Sequence, residues 1–410
     1  MKTARTKPHL ISTRHAGVAV RIPLHLRSPL LAIAISIAAS FSAAFAADSS
    51  LVDALRTVAQ ADGSAALDRA ASEAAKQLQR LPSSQVTDVL AGFGNATQRG
   101  RNWLRAIAAD VSDNGPFQSD SLLSFYNDRS NDPDARYVAF QLLTQNDSDG
   151  KADLLSNAQT DPSLPIRYLK IQSMIDQAAA VKESNPQESQ RILREVIANG
   201  RSPQQLEKSA RLLADRGVNV DLADELGMMR KFWICGPFDN TESKHFDTAY
   251  VPENRYIESG LPFSLDANGD PNPEQGKHAK VHWQRIESTD KLGMVNLNEP
   301  LANEKDAAAY VFAKFTVQDG ESIPTAQTRI GCITANKVWI NGRLVSSNEV
   351  YHSGTRIDQY VEQCALVHGE NTVLIKVMQN AQTEAWAQDW QFQFRLTRLD
   401  GSAIKTVLVE

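Results

Sequence analysis

Apolar residues along this chain recur with two different periods. Near the amino end of the mature region, Leu51, Ala54, Leu55 and Val58 fall at i, i+3, i+4 and i+7. Leu104, Ile107, Ala108 and Val111 repeat that spacing. Each set forms one face of an amphipathic helix. From residue 281 onward the period becomes two. Trp390, Phe392, Phe394 and Leu396 alternate with Gln391, Gln393, Arg395 and Thr397, and Val373, Ile375 and Val377 alternate with Leu374, Lys376 and Met378. Such alternation predicts strands with one buried face and one wet face. Residues 310–317 are apolar at both phases and predict a central strand. Further strands are expected at 281–286, 326–334, 336–340, 343–346 and 357–363. Many short strands separated by turn residues indicate a sandwich or jelly roll.

The two patterns meet near residue 230. Breaks at Leu81-Pro82, Asn114-Gly115-Pro116, Asn131-Asp132-Pro133, Thr160-Asp161-Pro162, Asn185-Pro186 and Ser202-Pro203 punctuate the first half. Several place a capping side chain before Pro at the first helical position. Eight to ten short helices are expected. Residues 231–238 then read as a short apolar strand stopped by Gly236-Pro237. The fold class expected is therefore an all-α helical domain over 48–229 followed by an all-β sandwich over 230–410. Aromatic residues agree, with eight in 48–230 and eighteen in 231–410. A weak echo runs through the helical half: Asp132-Pro133-Asp134-Ala135-Arg136-Tyr137 returns near Asp161, with two extra residues before Arg167-Tyr168. Helix pairs opened by Asp-Pro resemble HEAT-type repeats, which stack because one pair cannot bury its own apolar face. An irregular helical domain is the alternative.

Charge bears on compartment and partners. The first 46 residues hold six Lys/Arg and no Asp or Glu, followed within them by an apolar run from Leu30 to Phe45 that ends Ala44-Phe45-Ala46. This is the layout of a secretory signal peptide, and a secreted or periplasmic location follows. An uncleaved membrane anchor is the rival, and the Ser and Ala content favours cleavage. Beyond the leader, 37 of the 43 basic residues stand against all 48 acidic ones, a formal net charge of −11. That argues against nucleic acid or an anionic membrane surface as partner. Cys235, Cys332 and Cys364 are each set among apolar residues and read as buried thiols, with a Cys332–Cys364 disulfide as the alternative.

The most specific local signal is Lys337-Val338-Trp339-Ile340-Asn341-Gly342-Arg343-Leu344-Val345. Asn-Gly between apolar runs is the two-residue hairpin turn whose central positions both need positive φ. Leu366-x-x-Gly369-x-Asn371-x-x-x-x-Lys376-Val377 follows. Together these resemble the galactose-binding-like jelly roll, and most of all the sugar-binding domain that precedes the catalytic barrel of family 2 glycoside hydrolases. The stretch Trp233-x-x-Gly236-Pro237-Phe238-Asp239-Asn240 is similar to a module start in large secreted bacterial proteins. Such a hydrolase needs a (β/α)₈ barrel of ~250 residues after the sandwich. The sequence runs only to Glu410, so the resemblance implies an accessory, non-catalytic module. It also implies carbohydrate as a ligand, with Trp386 as an aromatic platform and Tyr351, His352 and Arg356 bordering the same end. Trp390 shares the buried phase of its strand and is expected in the core.

Other chemistry is thin. Asp266, Asn268 and Asp270 have the alternate spacing of a calcium loop, but Pro271 and Lys277 stand where such loops want Gly and Glu. A solvated surface turn is the other reading. His278 and His282 lie ~13 Å apart if the segment is a strand, which excludes a shared metal. No Gly-x-Ser-x-Gly, triad arrangement or phosphate loop occurs. The expectation is an exported, non-catalytic binding or scaffold protein, with carbohydrate at the jelly roll and protein contacts on the helices. An accessory subunit of a glycan-degrading hydrolase or lyase and a structural cell-envelope component are the alternatives.

Overall fold

A computed structural model describes residues 49–318 and 320–409. The signal-peptide reading falls on residues 1–46, outside those described. Among the described residues no helix is long and apolar enough to cross a membrane. The architecture is a helical region followed by a β-sandwich.

The helical region comprises α1 (49–59), α2 (Ala65–Leu78), α3 (Val86–Ala91), α4 (Gln98–Ser112), α5 (Ser119–Asn127), α6 (Pro133–Asn146), α7 (Lys151–Leu154), α8 (Leu164–Ala180), α9 (Pro186–Asn199), α10 (Pro203–Ala214) and α11 (Leu222–Glu225). The predicted apolar stripes turn inward. Leu104, Ile107, Ala108 and Val111 are fully buried, and Leu51 and Leu55 pack against the same core. Caps fall at several of the expected breaks. Asp132 accepts from the backbone N–H of Asp134 and Ala135, and Asn185 accepts from that of Glu188. Each satisfies donors that a helix start would otherwise leave open.

One expected start moves. Asp161-Pro162 does not open α8, whose N-cap is Ser163. The Asp161 carboxylate instead takes Nη1 and Nη2 of Arg136 at 2.7 and 2.9 Å. The two extra residues of the echo therefore lie before the cap. Counted from their caps, Arg136 and Arg167 hold the same station, with backbone N–H groups donating to the carbonyls of Asp132 and Ser163. Arg101 holds it too, four residues after its N-cap Thr97. It reaches forward to Asp132 with two bonds of 2.9 Å and to Asp134 at 2.8 Å. An arginine at one station of α4 and α6 thus clasps an aspartate at the start of the next unit. That regularity makes the region repeat-like.

The sandwich begins with β1 (Lys231–Asp239) and α12 (Val251–Ser259). The small hairpin β2 (Glu274–Gln275) and β3 (Lys280–Val281) follows, then β4 (Gln284–Glu287), β5 (Val295–Asn296), β6 (Ala307–Val317), β7 (Ile323–Cys332), β8 (Ala335–Ile340) and β9 (Arg343–Asn348). It ends with β10 (Tyr360–Leu366), β11 (Glu370–Gln379), β12 (Gln391–Arg398) and β13 (Thr406–Leu408). One sheet runs β4-β1-β6-β11-β8-β9, with β13 also on β6; the other runs β10-β7-β12-β5. Their facing sides enclose Phe232, Val311, Phe315, Ile330, Ile375, Trp390, Phe392 and Phe394. Trp390 is fully buried and donates Nε1–H to the Val377 carbonyl, as its phase predicts. All three cysteines are buried free thiols. Burial raises those of Cys332 and Cys364 to about 12 and about 11.

β6 is central, as expected, and the larger sheet is covered on both sides. Its outer face carries Cys235, Tyr310, Phe312, Trp339, Leu374 and Met378, packed under Phe246, Tyr256 and Trp283 from the segment that holds α12. Period-two reading missed this layer. Three strand expectations also change. Gly236-Pro237 does not stop β1; pairing with β6 shifts between Cys235 and Phe238 and resumes, the kind of bulge that tolerates Pro. The strand expected at 281–286 is broken at His282-Trp283 because Trp283 turns into the outer layer. The polar phase of β12 is not wet. Gln393, Arg395 and Thr397 are 3%, 2% and 0% exposed, because the helical region lies against that face. The Met229 N–H donates to the Phe394 carbonyl, and Arg395 Nη1 donates to that of Leu226. Leu292 and Ile357 join the helical core cluster.

Candidate functional site

The loops after β1, β5, β7, β9 and β11 all emerge at one end of the sandwich, since those strands share register with neighbours running the other way. Among the described residues, seven of the eight non-glycine positions with positive φ lie in these loops: Glu242, Ser243, Ala302, Asn303, Asp306, His352 and Asp358. The eighth, Asn341, belongs with Gly342 to the hairpin turn, whose φ values of 49° and 80° are those the Asn-Gly pair predicts. Left-handed backbone costs a non-glycine residue ~1 kcal/mol or more. Its concentration at one end requires that the surrounding contacts fix the loops.

Those contacts are polar. Asn240 is fully buried and donates Nδ2–H to the Tyr351 hydroxyl at 3.0 Å and to the Gln379 carbonyl at 3.1 Å. The Asn240 N–H donates to the Asp306 carbonyl, and the Asp306 carboxylate accepts from the Ala381 N–H at 3.0 Å. The Gln388 carbonyl is a hub. It accepts from Gln379 Nε2 at 3.1 Å, Asn298 Nδ2 at 3.1 Å and Lys305 Nζ at 3.2 Å. Gln388 closes the short helical turn Ala385–Ala387, so three side chains pin the turn that carries Trp386 to the sheet and its neighbouring loop. Two amide oxygens here, Asn298 Oδ1 and Asn380 Oδ1, are buried with no hydrogen-bond partner in the protein.

The candidates named from the sequence fall as follows. Trp386 sits in the pinned turn. Tyr351 and His352 lie in the β9–β10 loop at the same end, their rings 6.3 Å apart. Burial is the main cause that raises the Tyr351 phenol above its ordinary value. Arg356 lies further along that loop. Its carbonyl crowds Gly331 of β7, where a Cβ would come within 2.4 Å, so its backbone rests on the side facing the helical region. Asn240, Gln379, Gln388 and Asn298 carry no sequence motif that marks them; Asn240 closes the Gly236-Pro237-Phe238-Asp239-Asn240 run, which as sequence suggests only a module start.

Asp266, Asn268 and Asp270 form an exposed turn closed on its own backbone. Asp266 Oδ1 accepts from the N–H groups of Asn268 at 2.8 Å and Asp270 at 3.0 Å, and the Asp266 N–H donates to the Asp270 carbonyl. Among the described residues no group of three or more His, Cys, Asp or Glu side chains is placed to hold a metal ion. His278 contacts Glu304 at 3.1 Å. A cleft of about 300 Å³ opens in the helical region beside Tyr126, Arg129, Arg136 and Asp161; its guanidinium and carboxylate are already closed on each other at Arg136–Asp161.

No protein-family model and no curated protein matches the chain. Among solved structures, a GH31 alpha-xylosidase from Xanthomonas citri matches at 13% identity and a TM-score of 0.18. The match covers 32% of this chain and 17% of that enzyme, a likeness too slight to bear on fold or activity.

Proposed function

We propose that this chain is an exported, non-catalytic binding protein whose sandwich is a galactose-binding-like module. It takes carbohydrate at the loop end, and its HEAT-like helical region contacts a protein partner. The observation that carries the reading is the triple anchoring of the Gln388 carbonyl. A platform residue binds well when its loop is held in place before the ligand arrives. Tyr351 adds a phenol at the same end, held by Asn240. A glycan array probed with the full chain tests the reading: a defined set of glycans is retained, and Trp386→Ala loses them. Retention of none, or binding unchanged in Trp386→Ala, removes carbohydrate from the account.

A further inference from the structure

The arginine ladder breaks at its third rung. Arg101 and Arg136 each close on both oxygens of an aspartate at or just before the next N-cap. Arg167 holds the same station in α8 and is 5% exposed. Its Nε donates to the Asp161 carbonyl at 2.7 Å, its Nη2 stands 3.9 Å from Oδ2 of Asp400, and its Nη1 has no hydrogen-bond partner. Ser202 is the N-cap of α10; Arg201 stands immediately before it, and residues 200–202 include no aspartate. The Arg201 stem lies against Gly401, where a Cβ would meet its side chain at 3.5 to 3.7 Å. Both guanidinium side chains thus approach the turn between β12 and β13. Arg201 Nη1 donates to the Gly200 carbonyl at 2.8 Å, while its Nε is buried without a partner.

A further donor lies beside Arg167. Ser163, fully buried, makes no capping bond, and its hydroxyl has no partner. The charges do not balance. Two guanidinium groups face one carboxylate, that of Asp400, which is partly open to solvent and also accepts from Ser402. Asp161 is already taken by Arg136. Burial lowers the pKa of both arginines, with the positive charge of Arg201 adding to the effect at Arg167. Arginine stays charged regardless, so the excess positive charge has to be met.

We propose that Arg167, Arg201 and Ser163, which hold the open donors here, form a binding site for a small oxyanion. It occupies the place that the carboxylates of Asp132 and Asp161 hold in the two preceding rungs. The site lies where the helical region meets the β12–β13 turn, so the anion strengthens that junction. Forked N–H donors match carboxylate and phosphate oxygens, and the amino end of α8 adds partial positive charge.

The test is the unfolding midpoint of the full chain in sodium phosphate, sodium acetate and sodium chloride at equal ionic strength. Phosphate or acetate raises the midpoint by several degrees over chloride, increasingly with concentration. Arg201→Gln, at a partly exposed position, brings that increment down to the chloride level. Asp400→Asn keeps the oxygen that accepts from Ser402 but removes the competing charge, so it tightens oxyanion binding several-fold. Equal wild-type midpoints in all three salts overturn the proposal, as does an increment that survives Arg201→Gln. Should that variant not fold, Asp400→Asn decides: weaker binding than wild type contradicts the site, and tighter binding supports it.

Discussion

Lys376 is fully buried, yet all three of its ammonium donors are used. They reach the carbonyls of Thr248 at 2.7 Å, Phe246 at 3.0 Å and His245 at 3.3 Å. Glu253 Oε2 lies 3.6 Å away and accepts from the Tyr310 hydroxyl at 2.8 Å. Burial outweighs that carboxylate and pushes the ammonium down to about 8. Lys376 therefore ties the turn before α12 to the sheet beneath it. Lys376→Met leaves Glu253 buried without its counter-charge, and a loss of about 3–5 kcal/mol is expected in chemical denaturation. Pairing it with Glu253→Gln costs less than the sum of the single changes, because the two groups couple. A single-variant loss under ~1 kcal/mol would remove Lys376 from this role. The motif that includes Lys376 was plain in the sequence, and so was the work of its other members. Asn341 Oδ1 accepts from the Thr372 N–H, and Asn371 braces the Val367–Gly369 turn. Burial of the lysine was not legible. It sits on the polar phase of β11, and the layer above it comes from residues 244–283, which have no regular period.

β12 shows the same limit for a whole element. Its alternation fixed which residues enter the core, and Phe392, Phe394 and Leu396 do. It could not tell a solvated polar face from one paired under a second region. Arg395 donates to Asp358 at 2.8 and 2.5 Å, and Arg329 of β7 donates to the same carboxylate at 2.9 Å. Burial opposes ionisation of Asp358, but the bonds and charge of Arg395 and Arg329 prevail and hold it below the usual 3.8. Asp358→Asn leaves the buried Arg395 and the partly buried Arg329 without their counter-charge, at a cost of about 3–5 kcal/mol near neutral pH. A carboxylate whose pKa is depressed in the folded state contributes fully above its unfolded value. It loses that contribution as pH falls through the folded value. The stability gap between wild type and Asp358→Asn, followed by urea denaturation across pH, therefore narrows below about pH 3.8. A gap independent of pH would contradict the pairing. In the helical region the signal was there to be read. Thr97, Asp132 and Ser163 each precede an arginine by four residues, but counting from Asp-Pro instead of from the cap hid the first copy and shifted the last.

For the molecule as a whole, the change from period 3.6 to period two placed helices before the sandwich correctly. The loop end could not be read this way, because Asn240, Asn298, Gln379 and Gln388 come from four separate stretches and meet only after both sheets form. The β9–β10 loop joins the two halves of the account. Tyr351 meets Asn240 at the loop end, while Ile357 packs on the helical cluster and Asp358 pairs with Arg395. Occupancy at the loop end therefore has a covalent route to the junction. Hydrogen exchange of the full chain, with and without a glycan retained on the array, tests the ligand site most directly. The account predicts slowed exchange in residues 349–359 and 380–390, with α1 to α6 unchanged. Protection confined to the helices, or absent from both loops while the glycan is bound, would contradict it.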